Sequence, residues 1–163
     1  MDCASFQPIN CSLNQPITNT MAFKEEEQQR IRQAIERAEK NTSGEIRICV
    51  EKTCSEDPLN RAAGYFFKLE MEKTKLRTGV LIYLSTDDHQ FAIIGDAGIN
   101  QVVPANFWDE TKEAMLTCFK EGNLAQGIIT GIDRAGQQLQ KYFPFKTGDK
   151  NELSDDIAYM DGE

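Results

Sequence analysis

Histidine occurs once in these 163 residues, at His89. A Ser–His–Asp arrangement would have to use it, and no serine stands out as its nucleophile, so His89 reads as a solvated turn residue. A Walker phosphate loop, a G-x-G-x-x-G turn and a G-x-S-x-G elbow are all missing. The five cysteines, Cys3, Cys11, Cys49, Cys54 and Cys118, are odd in number and contain no C-x-x-C pair. Neither a disulfide framework nor a zinc knuckle is indicated, and a reducing, cytoplasmic setting is expected. No apolar run approaches the ~20 residues of a membrane helix. The Met-Asp start has no basic region leading into an apolar stretch, so no secretory signal is expected. Lysine and arginine total 18 against 26 aspartates and glutamates, a formal net charge of -8. That balance leaves no basic stripe to displace counterions from nucleic acid or to meet an anionic membrane.

Apolar residues make up 40% of the chain, enough for one domain to bury a core unaided. Three stretches are expected: a polar, aperiodic disordered leader over residues 1–22, an α/β domain over 23–144, and an acidic flexible tail over 145–163. Within the domain, Ile31, Ala34, Ile35 and Ala38 recur at helical spacing and predict a first helix over Phe23–Lys40. Ile46, Ile48 and Val50 alternate with Arg47, Cys49 and Glu51, which predicts a strand over 45–51 with one face more buried than the other. Cys49 reads as a small core residue. Asp57-Pro58 is a helix N-cap followed by proline at the first position, opening a second helix that ends near Lys73. Phe66, Phe67 and Met71 are placed on its apolar side. Val80–Leu84 is apolar throughout, as a central strand should be, and Phe91–Ile94 follows after a tight polar turn. Two further helices follow, from Pro104 and from Leu124 to Phe143. Gly127, Gly131 and Gly136 in the last of them point to close helix packing.

The order α-β-α-β-β-α-α implies a parallel pair joined by a right-handed crossover, with a third strand antiparallel. The expected architecture is a three-layer α/β/α sandwich around a small mixed sheet. This topology brings three glycine-bearing junctions to one rim: Ser43-Gly44-Glu45, Arg77-Thr78-Gly79 and Gly95-Asp96-Ala97-Gly98. Trp108 and Asp109 follow within reach. Converging carboxylates suit a hard divalent cation, and glycines let backbone approach a ligand closely. A plainer reading of the same residues is a rim ion pair between Glu45 and Arg77, with Asp96 capping a turn. The opposite rim gathers Glu51, Thr53, Cys54, Asp87, Asp88 and His89, beyond the carboxyl ends of the parallel strands, where open α/β sheets usually bind ligands.

Several segments together carry a resemblance. They are Asn41-Thr42-Ser43-Gly44-Glu45-Ile46-Arg47, Arg77-Thr78-Gly79-Val80-Leu81-Ile82-Tyr83, Gly95-Asp96-Ala97-Gly98-Ile99, Phe107-Trp108-Asp109 and Phe119-Lys120-Glu121-Gly122-Asn123. This series resembles the TPM domain family, shared by thylakoid-lumen photosystem-repair proteins and short single-domain bacterial proteins, over about Phe23 to Phe143. The resemblance implies an α/β/α sandwich and divalent-cation binding, with calcium the usual ion. It also implies an acid phosphatase activity proposed for lumenal members. By position it carries over Glu45, Arg77, Asp96 and Asp109, which favours the first rim. Thr78 departs from the asparagine that the family often has before the equivalent of Gly79.

Three functions are therefore expected to compete. One is a TPM-type module binding calcium or magnesium, with Glu45, Asp96 and Asp109 as metal ligands and Gly44, Arg77, Gly79 and Gly95 lining the site. The second is a metal-dependent acid phosphatase on that rim, with Arg77 stabilising phosphoryl oxygens. The third is a protein-interaction or assembly-factor domain without catalysis. The chain is read as a monomer whose partners are a metal ion and, in the third case, another protein.

Overall fold

The structure is a computed structural model, and it describes residues 2–5, 23–145 and 157–160. Five strands form one sheet in the order β1-β4-β3-β2-β5. They are β1 (Asp2–Ser5), β2 (Glu45–Glu51), β3 (Gly79–Ser85), β4 (Gln90–Gly95) and β5 (Ala158–Tyr159). The helices are α1 (Glu25–Glu39), α2 (Pro58–Lys68), the short α3 (Ala97–Asn100), α4 (Phe107–Lys120) and α5 (Leu124–Tyr142). β2 and β3 run parallel, and β3 and β4 antiparallel, as expected.

Local chemistry explains the boundaries. Glu27 accepts a hydrogen bond at 2.9 Å from the Lys24 backbone N–H at the start of α1, and three glutamates sit in that first turn, where the helix dipole favours them. Asp57 accepts from the Leu59 N–H at 3.3 Å, and Pro58 opens α2. The second helix is shorter than expected: it stops at Lys68, Glu70 turns left-handed with φ 59°, and Met71–Lys73 resumes as a 3₁₀ turn.

The sheet is covered on both faces. Ile46, Ile48, Val50, Val80, Ile82, Leu84, Phe91 and Ile93 pack against α1, α4 and α5. Cys49, Leu81, Tyr83, Ala92 and Ile94 pack with Phe66 of α2 and Met71. The helix glycines fit because neighbours press close. A Cβ on Gly127 would stand 2.3 Å from the Phe119 ring, and one on Gly136 would stand 2.7 Å from the Ala38 Cβ.

Local expectations for β2, Phe67 and the third and fourth helices are corrected. β2 is buried on both sides, because Glu45 and Glu51 are enclosed rather than solvated. Phe67 is 61% exposed, one helical step beyond the buried Phe66. The third long helix, α4, begins at Phe107 rather than Pro104, and Ala97–Asn100 forms a short helix where a turn was expected. Inside the stretches read as leader and tail, Asp2–Ser5 pairs with β4 and Ala158–Tyr159 with β2, so the outer strands gain hydrogen-bonding partners. Residues 1, 6–22, 146–156 and 161–163 lie outside the described residues. Among those described, no helix is long and apolar enough to cross a membrane.

Candidate functional site

Register places the three glycine junctions together. Glu45 lies opposite Gly79, and Val80 lies opposite Gly95. The Asp96 N–H donates to the Gly79 carbonyl at 2.9 Å, and the Glu45 N–H to the Thr78 carbonyl at 3.4 Å. Glu45 and Asp96 thus stand on the same rim, with backbones two strand spacings or roughly 10 Å apart. A Cβ on Gly44 would strike Leu139 at 2.6 Å, so this glycine serves packing of the junction against α5.

Arg77 and Asp96 form the rim's main polar feature. Nε and Nη2 of Arg77 donate to Oδ2 and Oδ1 of Asp96 at 2.7 and 2.8 Å, a bidentate pair. Asp96 also caps α3, accepting from the Ala97 N–H at 2.7 Å. The pair is asymmetric in exposure: the Arg77 side chain is 50% exposed and that of Asp96 only 5%. Arg77 thus pairs with Asp96, and the capping role read for Asp96 is present. Backbone holds the junction tightly. Arg77 is left-handed with φ 58°, and its carbonyl accepts from the Gly98 N–H at 2.8 Å. A Cβ on Gly98 would stand 2.2 Å from the Leu76 carbonyl oxygen, so only glycine allows this approach. Gly95 leaves room for Trp108, whose Nε1 donates to Asn100 at 2.9 Å, and Asn100 in turn donates to the Gly95 carbonyl at 2.6 Å.

Glu45 is buried at 2% exposure. Asp109 differs from it: its side chain is 69% exposed and lies 3.5 Å from the Lys112 ammonium. Glu72, which sequence reasoning missed because it fell within the predicted second helix, has Oε2 buried without a hydrogen-bond partner. It lies within electrostatic reach of Arg77. Among the described residues, no three His, Cys, Asp or Glu side chains group closely enough to hold a metal ion. A closed, all-protein cage does not fit here.

The opposite rim holds a different arrangement. Glu51 accepts from Arg61 Nε and Nη2 at 2.9 and 3.1 Å, from Tyr65 Oη at 2.8 Å and from the Tyr83 hydroxyl. Burial pushes the Glu51 carboxyl upward, but the hydrogen bonds from Arg61, Tyr83 and Tyr65 outweigh it and hold the group below the usual carboxylate range. Burial, then the neighbouring Glu51 charge, pushes the Tyr65 hydroxyl up to about 12. Burial also pushes the Cys49 thiol well up, which keeps it protonated. This network saturates its carboxylate with donors from α2 and β3, which makes it a clamp between layers. The available signal was the four-residue spacing of Arg61 and Tyr65 on the helix facing Glu51.

A TPM domain profile matches residues 17–138, three-quarters of the chain. The chain belongs to the TPM domain family. A solved relative agrees: the BA42 protein from the psychrophilic bacterium Bizionia argentinensis, determined by NMR, is 47% identical to this chain. The match covers 88% of this chain and 98% of that one, with a TM-score of 0.81. No curated protein matches. The TPM domain described here thus shares its α/β/α fold with BA42 across nearly the whole of that structure.

Proposed function

We propose that this TPM domain binds a divalent cation, calcium or magnesium, at the rim formed by the starts of β2 and β3 and the end of β4. One observation carries the reading: the buried carboxylate of Asp96 is fixed by backbone at a glycine-bearing junction and already holds a cationic group. Glu45 adds a second buried carboxylate on the same rim, and water would have to complete the coordination shell. Asp109, turned to solvent beside Lys112, has at most an outer role.

The test is a residue-resolved titration of the full chain with calcium chloride and, separately, magnesium chloride, followed by backbone amide shifts. Shifts centred on Gly44, Gly79, Gly95 and Ala97 are expected, and Asp96→Asn should abolish them. Shifts confined to residues 146–163 would overturn the reading.

A further inference from the structure

The outer margin of β2 is a groove between two layers of the fold, and β5 of this chain lies in it. We propose that this groove is a docking site for an extended peptide strand of a partner protein, with β5 as its displaceable internal occupant. The inference is independent of the cation reading, because it concerns the margin of the sheet and not the glycine rim.

The bound strand shows what the groove accepts. β5 runs parallel to β2, with Ala158 opposite Cys49 and Tyr159 opposite Val50. Its successive side chains enter opposite layers. Ile157 and Tyr159 pack against the core cluster that includes α1 and α5, and Met160 packs against that of Phe66 and Met71. The Met160 N–H donates to the Val50 carbonyl at 2.8 Å, so backbone supplies affinity and alternate side chains supply selection. At the other end of β2, the Glu39 carboxylate accepts from the Ile46 N–H at 2.7 Å, which closes the edge to a longer strand.

The fit of β5 itself is imperfect. Only two of its residues pair with β2, and Tyr159 buries its hydroxyl without a hydrogen-bond partner. Ordering a strand for so little pairing puts β5 at the low-stability end of the fold. A strand with phenylalanine at the Tyr159 position removes the unsatisfied hydroxyl. Arg47 lies two residues before Cys49 on the same face, and its Nε is also buried without a partner. In this register, an acidic side chain two residues before the Ala158 position would face it. The partner strand is thus acidic at its leading end, then aliphatic, small, aromatic and aliphatic.

The experiment measures fluorescence anisotropy of labelled synthetic peptides against the full chain. One peptide has the sequence of residues 155–161, a second carries Tyr159→Phe and a third Asp156→Lys. The protein is wild type or Ala158→Pro/Met160→Pro, which removes strand donors from β5 and empties the groove. That variant should bind the first peptide about tenfold tighter than wild type does, because no internal strand competes. It should bind the second about tenfold tighter than the first, and the third about fivefold more weakly. Amide shifts on binding should centre on Ile48 and Val50. The proposal is overturned by a natively folded variant that binds no peptide, by equal binding of all three peptides, or by dimerisation of the variant without peptide uptake, which would make the occupant a second copy. Should the variant fail to fold, Tyr159→Phe in the full chain is the test. It should slow hydrogen exchange at Val50 by about tenfold, and unchanged exchange overturns the proposal.

Discussion

The Glu51 carboxylate ties β2 to α2 through Arg61 and Tyr65, and to β3 through Tyr83. Its side chain is 3% exposed, so removing the charge strands several donors at once. Glu51→Gln should cost about 1–3 kcal/mol in urea unfolding. The pH dependence follows from the lowered carboxyl of the folded state. The stabilisation is complete above the unfolded glutamate pKa, about 4.3, and is lost as pH falls through the lower folded value. Below the unfolded value, about 4.3, wild type should therefore lose stability more steeply than Glu51→Gln, measured as unfolding midpoints across an acid series. Adjacent phenylalanines give a second residue-scale contrast. Phe66→Ala removes a ring packed against Met71 and Leu81 and should cost about 3–5 kcal/mol. Phe67→Ser acts on a ring 61% exposed and should shift stability by about 0.5 kcal/mol or less. Comparable losses from both would contradict the position of α2.

At the scale of elements, two glycines make opposite predictions. Gly64 lies within α2, and a Cβ there would meet nothing within 4 Å. Gly64→Ala should raise the thermal midpoint, by an amount equivalent to about 0.5–1 kcal/mol. Gly98→Ala drives a methyl into the Leu76 and Arg77 carbonyls at 2.2 and 2.5 Å, and backbone cannot step aside cheaply. It should destabilise the protein and shift the amides of Asp96 and Ala97. The main elements were legible because long apolar periodicities and strong caps, such as Asp57-Pro58, encode them in side chains. The meeting of Gly44, Gly79 and Gly95 at one rim followed from topology alone. What was not legible is encoded elsewhere. β5 pairs through backbone over two residues, which no side-chain pattern announces. Arg77 and Asp96, 19 residues apart, meet only because β3 and β4 bring them there. Glu45 and Glu51 look like solvent-facing positions in an alternating strand, and only the third dimension encloses them.

For the whole molecule, the sheet owes its outer margins to segments far from its centre in sequence. The Met160 N–H donates to the Val50 carbonyl at 2.8 Å, extending the parallel contact made by β5. Deleting residues 146–163 should accelerate hydrogen exchange along β2 and promote self-association, read by mass spectrometry and sedimentation. Unchanged exchange at Val50 would count against β5 as an edge cover. The placement of β1 and β5 on opposite margins has a further consequence. Four strand spacings separate them, roughly 19 Å. Joining head to tail in a circularised or permuted version therefore requires a bridge of about six extended residues or more, laid across the width of the sheet.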